Sequence, residues 1–146
     1  MTTRPYEFLG GDGILNRSIH TALDVHDLIV EGIPAASLQH LVERMRILSA
    51  GDVLNTAIGT DIRTLHRRNP DGMRALSTEH GSRAWRFAQI IAKASDILGT
   101  QEAGEAWVLE PAIGLDNRRP IDLLASAAGA KAVKEYLTRV EYGVYM

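Results

Sequence analysis

The sequence predicts an all-α fold, and two observations carry that prediction. Apolar residues recur every three or four positions over most of the chain, as in Ala84, Phe87, Ala88 and Ile91, which is the spacing of one helix face. No stretch of useful length alternates apolar and polar residues as a half-buried strand does. With 146 residues, 45% hydrophobic and 23% charged, the chain can form one packed domain, or one domain with an added lobe.

The N-terminal part is expected to be a leader followed by two helices. Residues 1–13 hold three closely spaced glycines, which favour irregular backbone, so we expect a flexible leader there. Apolar spacing predicts a helix over Leu15–Val30, which Gly32 ends, and a second helix over Ala36–Leu48.

Two short helices follow, and they meet at a glycine. Ser49 is a suitable N-cap for a helix over Ala50–Ile58. Gly59 breaks that helix, and a second one is expected from about Asp61 to Arg68.

The rest of the chain predicts four more helices. A long one runs from about Thr78 to Leu98, where Gly99 ends it. The other three are expected over Gln101–Leu109, Pro120–Ala128 and Ala130–Tyr142, with Gly129 breaking the last two apart and Gly143 as the final C-cap.

The segment Gly51–Arg68 has the pattern of a helix-turn-helix. Such a motif needs a tight turn, apolar residues that lock the two helices and a polar face for the DNA major groove. Leu54, Ile58 and Leu65 supply the apolar contacts. The candidate DNA-binding residues are Thr60, Arg63, Thr64, His66, Arg67 and Arg68. A plain helical hairpin within a bundle is the alternative.

Charge is distributed unevenly, although the net charge is only −2. Residues 59–93 have a net charge of +4, whereas residues 1–58 and 94–146 each have −3. A basic middle between acidic flanks fits a DNA-facing segment, and a solvated helix face is the other explanation.

No catalytic or metal-binding pattern is found. Without cysteine the chain has no thiol nucleophile, disulfide or cysteine-ligated metal site. It has no phosphate-binding glycine loop and no His-Glu-x-x-His motif, so we expect no enzyme activity, no metal and no cofactor. With no signal peptide and no membrane-length apolar run, we expect a cytoplasmic protein with no membrane contact.

Three segments carry a resemblance to a known family. They are IGTDIRTLHRR at Ile58–Arg68, WVLEP at Trp107–Pro111, and RRPIDLLASAAGAKAVKEYLTRVEYGVYM at Arg118–Met146. Together they resemble the Xre-like antitoxins of RES–Xre toxin–antitoxin modules, over roughly Gly32 to Met146.

The resemblance implies both a domain division and a function. Residues 14–72 would be a helix-turn-helix DNA-binding region, and residues 73–146 a helical region that binds the toxin. The chain would neutralise a RES-domain toxin, an enzyme that consumes NAD⁺, by occluding its active site with the C-terminal segment. It would also repress its own operon, as a homodimer on operator DNA. A stand-alone helix-turn-helix regulator without a toxin partner is the alternative, and a helical adaptor a third.

The C-terminal end is physically suited to contact a partner. Three of the four tyrosines lie in the last eleven residues, and apolar groups at a chain end are costly to expose unless a partner covers them. The candidate toxin-binding residues are Arg118, Arg119, Arg139, Tyr142, Gly143, Val144, Tyr145 and Met146. The alternative is a tail folded back on its own domain. The break expected at Gly129 either lets two helices pack closely or sets the angle of the last helix.

Overall fold

The all-α prediction is confirmed by the computed structural model. It describes residues 4–49, 52–68 and 71–143, except for the side chains of Ile62 and Arg68. The α-helices are α1 (Arg4–Phe8), α2 (Gly11–Ile14), α3 (Ala22–Glu31), α4 (Ala36–Arg44), α5 (Val53–Ile58), α6 (Ile62–Arg68), α7 (Thr78–Leu98), α8 (Gln101–Val108) and α9 (Ala127–Glu141). Short 3-10 helices cover Arg46–Ser49, Ile113–Leu115 and Pro120–Ala125. Within the described ranges the only β-type pairing is two isolated bridges, Pro34 with Ala75 and Ala112 with Arg118.

Helix α7 lies at the centre of the fold. It packs against α1, α3, α5, α8 and α9, and Phe87, Ile90 and Ile91 on it are fully buried. Its start and end match the sequence expectation: the Ser77 hydroxyl accepts a hydrogen bond from the His80 backbone N–H, and Gly99 adopts the left-handed conformation at the C-terminus.

Helix α8 folds back along α7 at very short range. A Cβ on Gly104 would lie 2.6 Å from Ser95 Oγ and 2.8 Å from the Ser95 backbone nitrogen. Only glycine permits this approach of the two backbones. The Ser95 hydroxyl donates to the Ile91 carbonyl, so it brings no unpaired polar group into the contact.

The N-terminal segment differs from the expected flexible leader. Residues 4–8 and 11–14 are helical, and Leu9 between them is fully buried. Glycine content favoured irregular backbone, but the burial of Phe8 and Leu9 against the core stabilises helices there.

Other expected boundaries were wrong for local reasons. The helix expected from Leu15 begins only at Ala22, because Thr21 and Asp24 form a capping box that fixes its start. Ser49 is not an N-cap; its hydroxyl donates to the Arg46 carbonyl, and α5 begins at Val53. Residue 50, the expected start of that helix, lies outside the described residues.

The segment of the predicted helix-turn-helix and the C-terminal region share their core. Helix α5 packs on both α7 and the 3-10 helix Pro120–Ala125, which in turn packs on α9. Ala57 and Ile58 from α5 are fully buried in the same cluster as Ile121 and Leu124. The two regions are therefore joined by apolar contacts and not only by the chain.

Candidate functional surfaces

Helices α5 and α6 meet at a tight turn. Gly59 has a φ of 93°, in the left-handed region that glycine adopts easily, and its N–H bonds to the Asn55 carbonyl at 2.8 Å. Asp61 then caps α6, because its Oδ1 accepts the Thr64 backbone N–H at 2.7 Å. This bond is the main reason that the pKa of the Asp61 carboxyl is held below its usual value.

Arg83 of α7 holds the end of α5 at this turn. Its Nε donates to the Ala57 carbonyl at 3.1 Å and its Nη2 to the Thr56 carbonyl at 2.9 Å. These carbonyls lie in the last turn of α5, where no following helical residue can satisfy them and where the helix dipole favours a cation. The long central helix thus fixes the position of the helix-turn-helix.

The predicted DNA-binding residues divide into two groups. Arg63, His66 and Arg67 are exposed, and their spacing of three and four places them on one face of α6. Thr60 and Thr64 are half-buried near the turn. The side chain of the sixth residue, Arg68, lies outside the described residues.

Two arginines of the basic middle segment are directed at internal carbonyls. Arg83 bonds to α5, and Arg86 Nη1 donates to the Leu124 carbonyl at 2.9 Å. Burial, and to a lesser extent the charge of Arg83, lowers the pKa of Arg86. The net charge of residues 59–93 therefore overstates the basic surface near α6.

An aromatic cluster forms where α8, α9 and the Ile113–Leu115 turn meet. The Trp107 and Tyr136 rings are stacked, with centroids 6.2 Å apart and an interplanar angle of 15°. The Arg139 guanidinium lies 5.9 Å from the centre of the Tyr136 ring. A Cβ on Gly114 would overlap the Tyr136 ring, so glycine is needed for the turn to lie against it.

Large apolar side chains are exposed beside this cluster. Ile113 is 77% exposed and Tyr142, just after α9, is 74% exposed. Arg139 and Gly143 are also exposed, and Gly143 has a φ of 70°. We call Ile113, Tyr136, Arg139 and Tyr142 the aromatic surface. Val144, Tyr145 and Met146, expected to bind the toxin, lie outside the described residues.

The two arginines before Pro120 have different environments. Arg119 makes a two-pronged contact with Asp122, from Nε at 3.0 Å and from Nη2 at 2.9 Å, and this hydrogen bonding raises the pKa of Arg119. Its guanidinium thereby steadies the start of the 3-10 helix. Arg118 is exposed, and its side chain has no hydrogen-bond or charged partner among the described residues.

Gly129 does not break the final helix. Helix α9 begins at Ala127, after the Ser126 hydroxyl accepts the Gly129 backbone N–H at 3.0 Å, and continues through Gly129. A Cβ at this position would overlap the Leu123 carbonyl. Of the two roles considered for this glycine, close packing is the one that the geometry supports.

Some residues of these surfaces were not anticipated as site residues. Ile113 lies in an irregular stretch, and its exposure depends on a turn that the apolar spacing does not reveal. Arg83 has no sequence signal, because its partners are backbone carbonyls 26 and 27 residues away. Asp61 could have been found, since an aspartate before a helix is a common N-cap.

No group of three potential ligands that could hold a metal ion is found in the part of the chain that the structure describes. Among the same residues, no helix has the length and apolar character needed to cross a membrane.

Comparison with known proteins defines the class of the C-terminal region. Residues 93–143 match the family model described as the antitoxin Xre/MbcA/ParS C-terminal toxin-binding domain. The match covers the end of α7, α8, the aromatic surface and α9. This part of the chain is therefore similar to the toxin-binding domains of that antitoxin family.

Two relatives extend the likeness to most of the chain. One, named Antitoxin Xre, from Yersinia enterocolitica serotype O:8 / biotype 1B, is 29% identical over 130 residues, covering 78% of this chain and 86% of the relative. The other, also named Antitoxin Xre, from Photorhabdus laumondii subsp. laumondii, is 26% identical over 118 residues, covering 80% and 78%. Together with the family match, they confirm the resemblance of this chain to the Xre-like antitoxins.

Proposed function

We propose that this antitoxin neutralises a RES-domain toxin, an NAD-degrading enzyme of the cytoplasm, by covering its active site with the aromatic surface and the residues that follow it. The observation that carries the proposal is the exposure of Ile113 and Tyr142 within the matched toxin-binding domain. Burying apolar area in a partner contributes about 25 cal/mol per Å², and aromatic residues and arginine are enriched in interface cores.

The aromatic surface is held in shape before any partner arrives. Tyr136 is fixed between Trp107 and Gly114, and the 3-10 helix Ile113–Leu115 packs on α9. A preformed surface loses little conformational entropy on binding, which favours tight association. Arg118 and Arg139, both exposed, add cationic groups that can pair with acidic groups of a partner.

Two exposed apolar residues provide a matched test of this surface. Ile113 and Met73 are both 77% exposed, but only Ile113 lies in the matched domain. We expect Ile113→Ser and Tyr142→Ala each to weaken co-purification with the toxin encoded beside this gene and to restore its NAD⁺ consumption. Met73→Ser is expected to behave as wild type. Full neutralisation by both Ile113→Ser and Tyr142→Ala would contradict the proposal.

The segment after the aromatic surface is tested separately. Deletion of residues 144–146 is expected to weaken neutralisation while leaving the circular dichroism spectrum unchanged. If the truncated chain inhibited the toxin fully, occlusion by the end of the chain would be wrong, even if the aromatic surface still bound the partner.

The same chain is proposed to repress its own operon, as a homodimer whose α6 helices enter the DNA major groove. Support comes from the exposed Arg63, His66 and Arg67 on one face of α6 and from the firm attachment of α5 through Arg83. Arginine contacts phosphates and guanine edges in such complexes.

Salt dependence separates DNA contact from a general charge effect. Arg63→Ala combined with Arg67→Ala should reduce affinity for promoter DNA. The slope of log affinity against log salt should fall by roughly 1 for each phosphate that the variant leaves without its arginine. Arg46→Ala, an exposed charge outside the motif, is the control. Unchanged DNA affinity in the double variant would exclude α6 as the recognition helix.

A further inference from the structure

A cluster of cations lies between α7 and α9. Lys93 Nζ donates to Thr138 Oγ1 and Lys134 Nζ to Gln89 Oε1, the latter at 2.9 Å. Arg86 is close enough that its charge, with that of Lys93, acts on Lys134. All these partners are neutral, and among the described residues these three cations form no ion pair.

The cluster borders a cavity of about 270 Å³. It is lined by Pro5, Gln89, Lys93, Asp96 and Lys134. The one carboxylate there, Asp96, is already paired with Arg4, so it does not neutralise the two lysines. The cavity therefore combines room for a small molecule with an excess of positive charge.

We propose that this cavity is a binding site for a small multivalent oxyanion of the phosphate class. The two ammonium groups would share its negative charge, with Arg86 close to Lys134, and the Gln89 side-chain N–H groups would supply further hydrogen bonds. An anion would also relieve the repulsion among the three cations. The pKa of Lys134 is lowered, mainly by burial and further by the charges of Arg86 and Lys93. This fits a charge that lacks a counterion.

The site is separate from the proposed toxin contact. Lys134 and Tyr136 are two residues apart on α9, which is about 200° around a helix. Occupation of the cavity therefore does not require displacement of Tyr136, and the two proposals can fail independently.

The test is a calorimetric titration of the chain, first with inorganic phosphate and then, separately, with pyrophosphate. Sodium chloride at equal ionic strength corrects for screening. We expect saturable binding to the wild type that Lys134→Gln weakens by at least about tenfold. Lys131→Gln, the same charge change on an exposed position of the same helix, should alter the affinity by less than about twofold.

A second variant guards against misfolding. If Lys134→Gln lost its helical circular dichroism signal, Lys93→Gln would replace it, with the same tenfold weakening expected. No binding beyond the chloride control, or equal weakening in Lys131→Gln and the cavity variants, would mean an adventitious ion only and would overturn the proposal.

Discussion

Arg83 and Gly59 lie against each other at the turn between α5 and α6, the predicted helix-turn-helix. A Cβ on Gly59 would come within 2.6 Å of Arg83 Nη1, one end of the guanidinium that bonds to the carbonyls of Ala57 and Thr56. The glycine thus serves two needs at once, the left-handed backbone and the space for the arginine.

Gly59→Ala is therefore expected to destabilise the protein by more than the cost of placing alanine in the left-handed conformation. The left-handed conformation costs a non-glycine residue about 1–2 kcal/mol, and displacing Arg83 endangers hydrogen bonds worth about 1.5–3 kcal/mol each. Gly99→Ala is the control, since Gly99 has a similar φ of 100° and open space around it. Urea unfolding should show a clearly larger loss of stability for Gly59→Ala, and equal losses would mean that the packing against Arg83 contributes nothing.

Gly129→Ala should disturb the seating of α9 on the Pro120–Ala125 segment. The added methyl group would overlap the Leu123 carbonyl, and such overpacking costs about 1–3 kcal/mol. Gly13→Ala, in the interior of α2 with nothing near its Cβ, is expected to be neutral or slightly stabilising. The comparison is read from thermal unfolding; a Gly129→Ala protein as stable as wild type would show that the helix shifts without cost.

Asp61 gives the helix-turn-helix an acid-sensitive element. Its folded pKa lies below the ordinary value of 3.8, so the cap stabilises the folded state above that pH, and the stabilisation is lost as the pH falls through the lowered pKa. We expect Asp61→Ala to lower the free energy of unfolding near neutral pH. Below pH 3.8 the difference in this free energy between the variant and the wild type should narrow. Denaturant unfolding between pH 2 and 7 measures this, with Asp61→Asn as a cap without charge. If the difference in unfolding free energy stayed constant in acid, the carboxylate charge would have no role in the cap.

The charge of Lys134 is expected to have the opposite effect on the stability of the folded state. Its pKa is lowered from 10.5, mainly by burial, so its charge destabilises the folded state at neutral pH, and the penalty fades as the pH rises through the folded pKa towards 10.5. In the absence of phosphate, Lys134→Gln should therefore be more stable than wild type at pH 7. The difference in melting temperature should shrink as the pH approaches 10.5, and a wild type more stable than the variant at pH 7 would contradict the assignment.

Local signals in the sequence predict some elements well. Helix α7 begins after Ser77 and ends at Gly99, and the turn of the helix-turn-helix falls at Gly59, because capping and left-handed glycine act within a few residues. Glycine was misleading where its neighbours decide the outcome. Residues 4–8 and 11–14 are helical because Phe8 and Leu9 are buried, and Gly129 lies within α9 with the Leu123 carbonyl against it.

The candidate surfaces depend even more on distant contacts. Tyr136 is half-buried because Trp107 and Gly114 cover only part of its ring. The inward direction of Arg83 and Arg86 follows from carbonyls that only the tertiary fold brings near. Summing the charges along the sequence cannot reveal such hydrogen bonds.

The shared core of α5 and the Pro120–Ala125 segment limits how this chain can be divided into fragments. Cutting the chain between its two halves would leave Ile58 on one fragment and Leu124 on the other facing water, so neither piece would keep the shape it has in the whole. The proposed DNA recognition and the proposed toxin capture are best tested separately, by single substitutions on the surface of the intact protein.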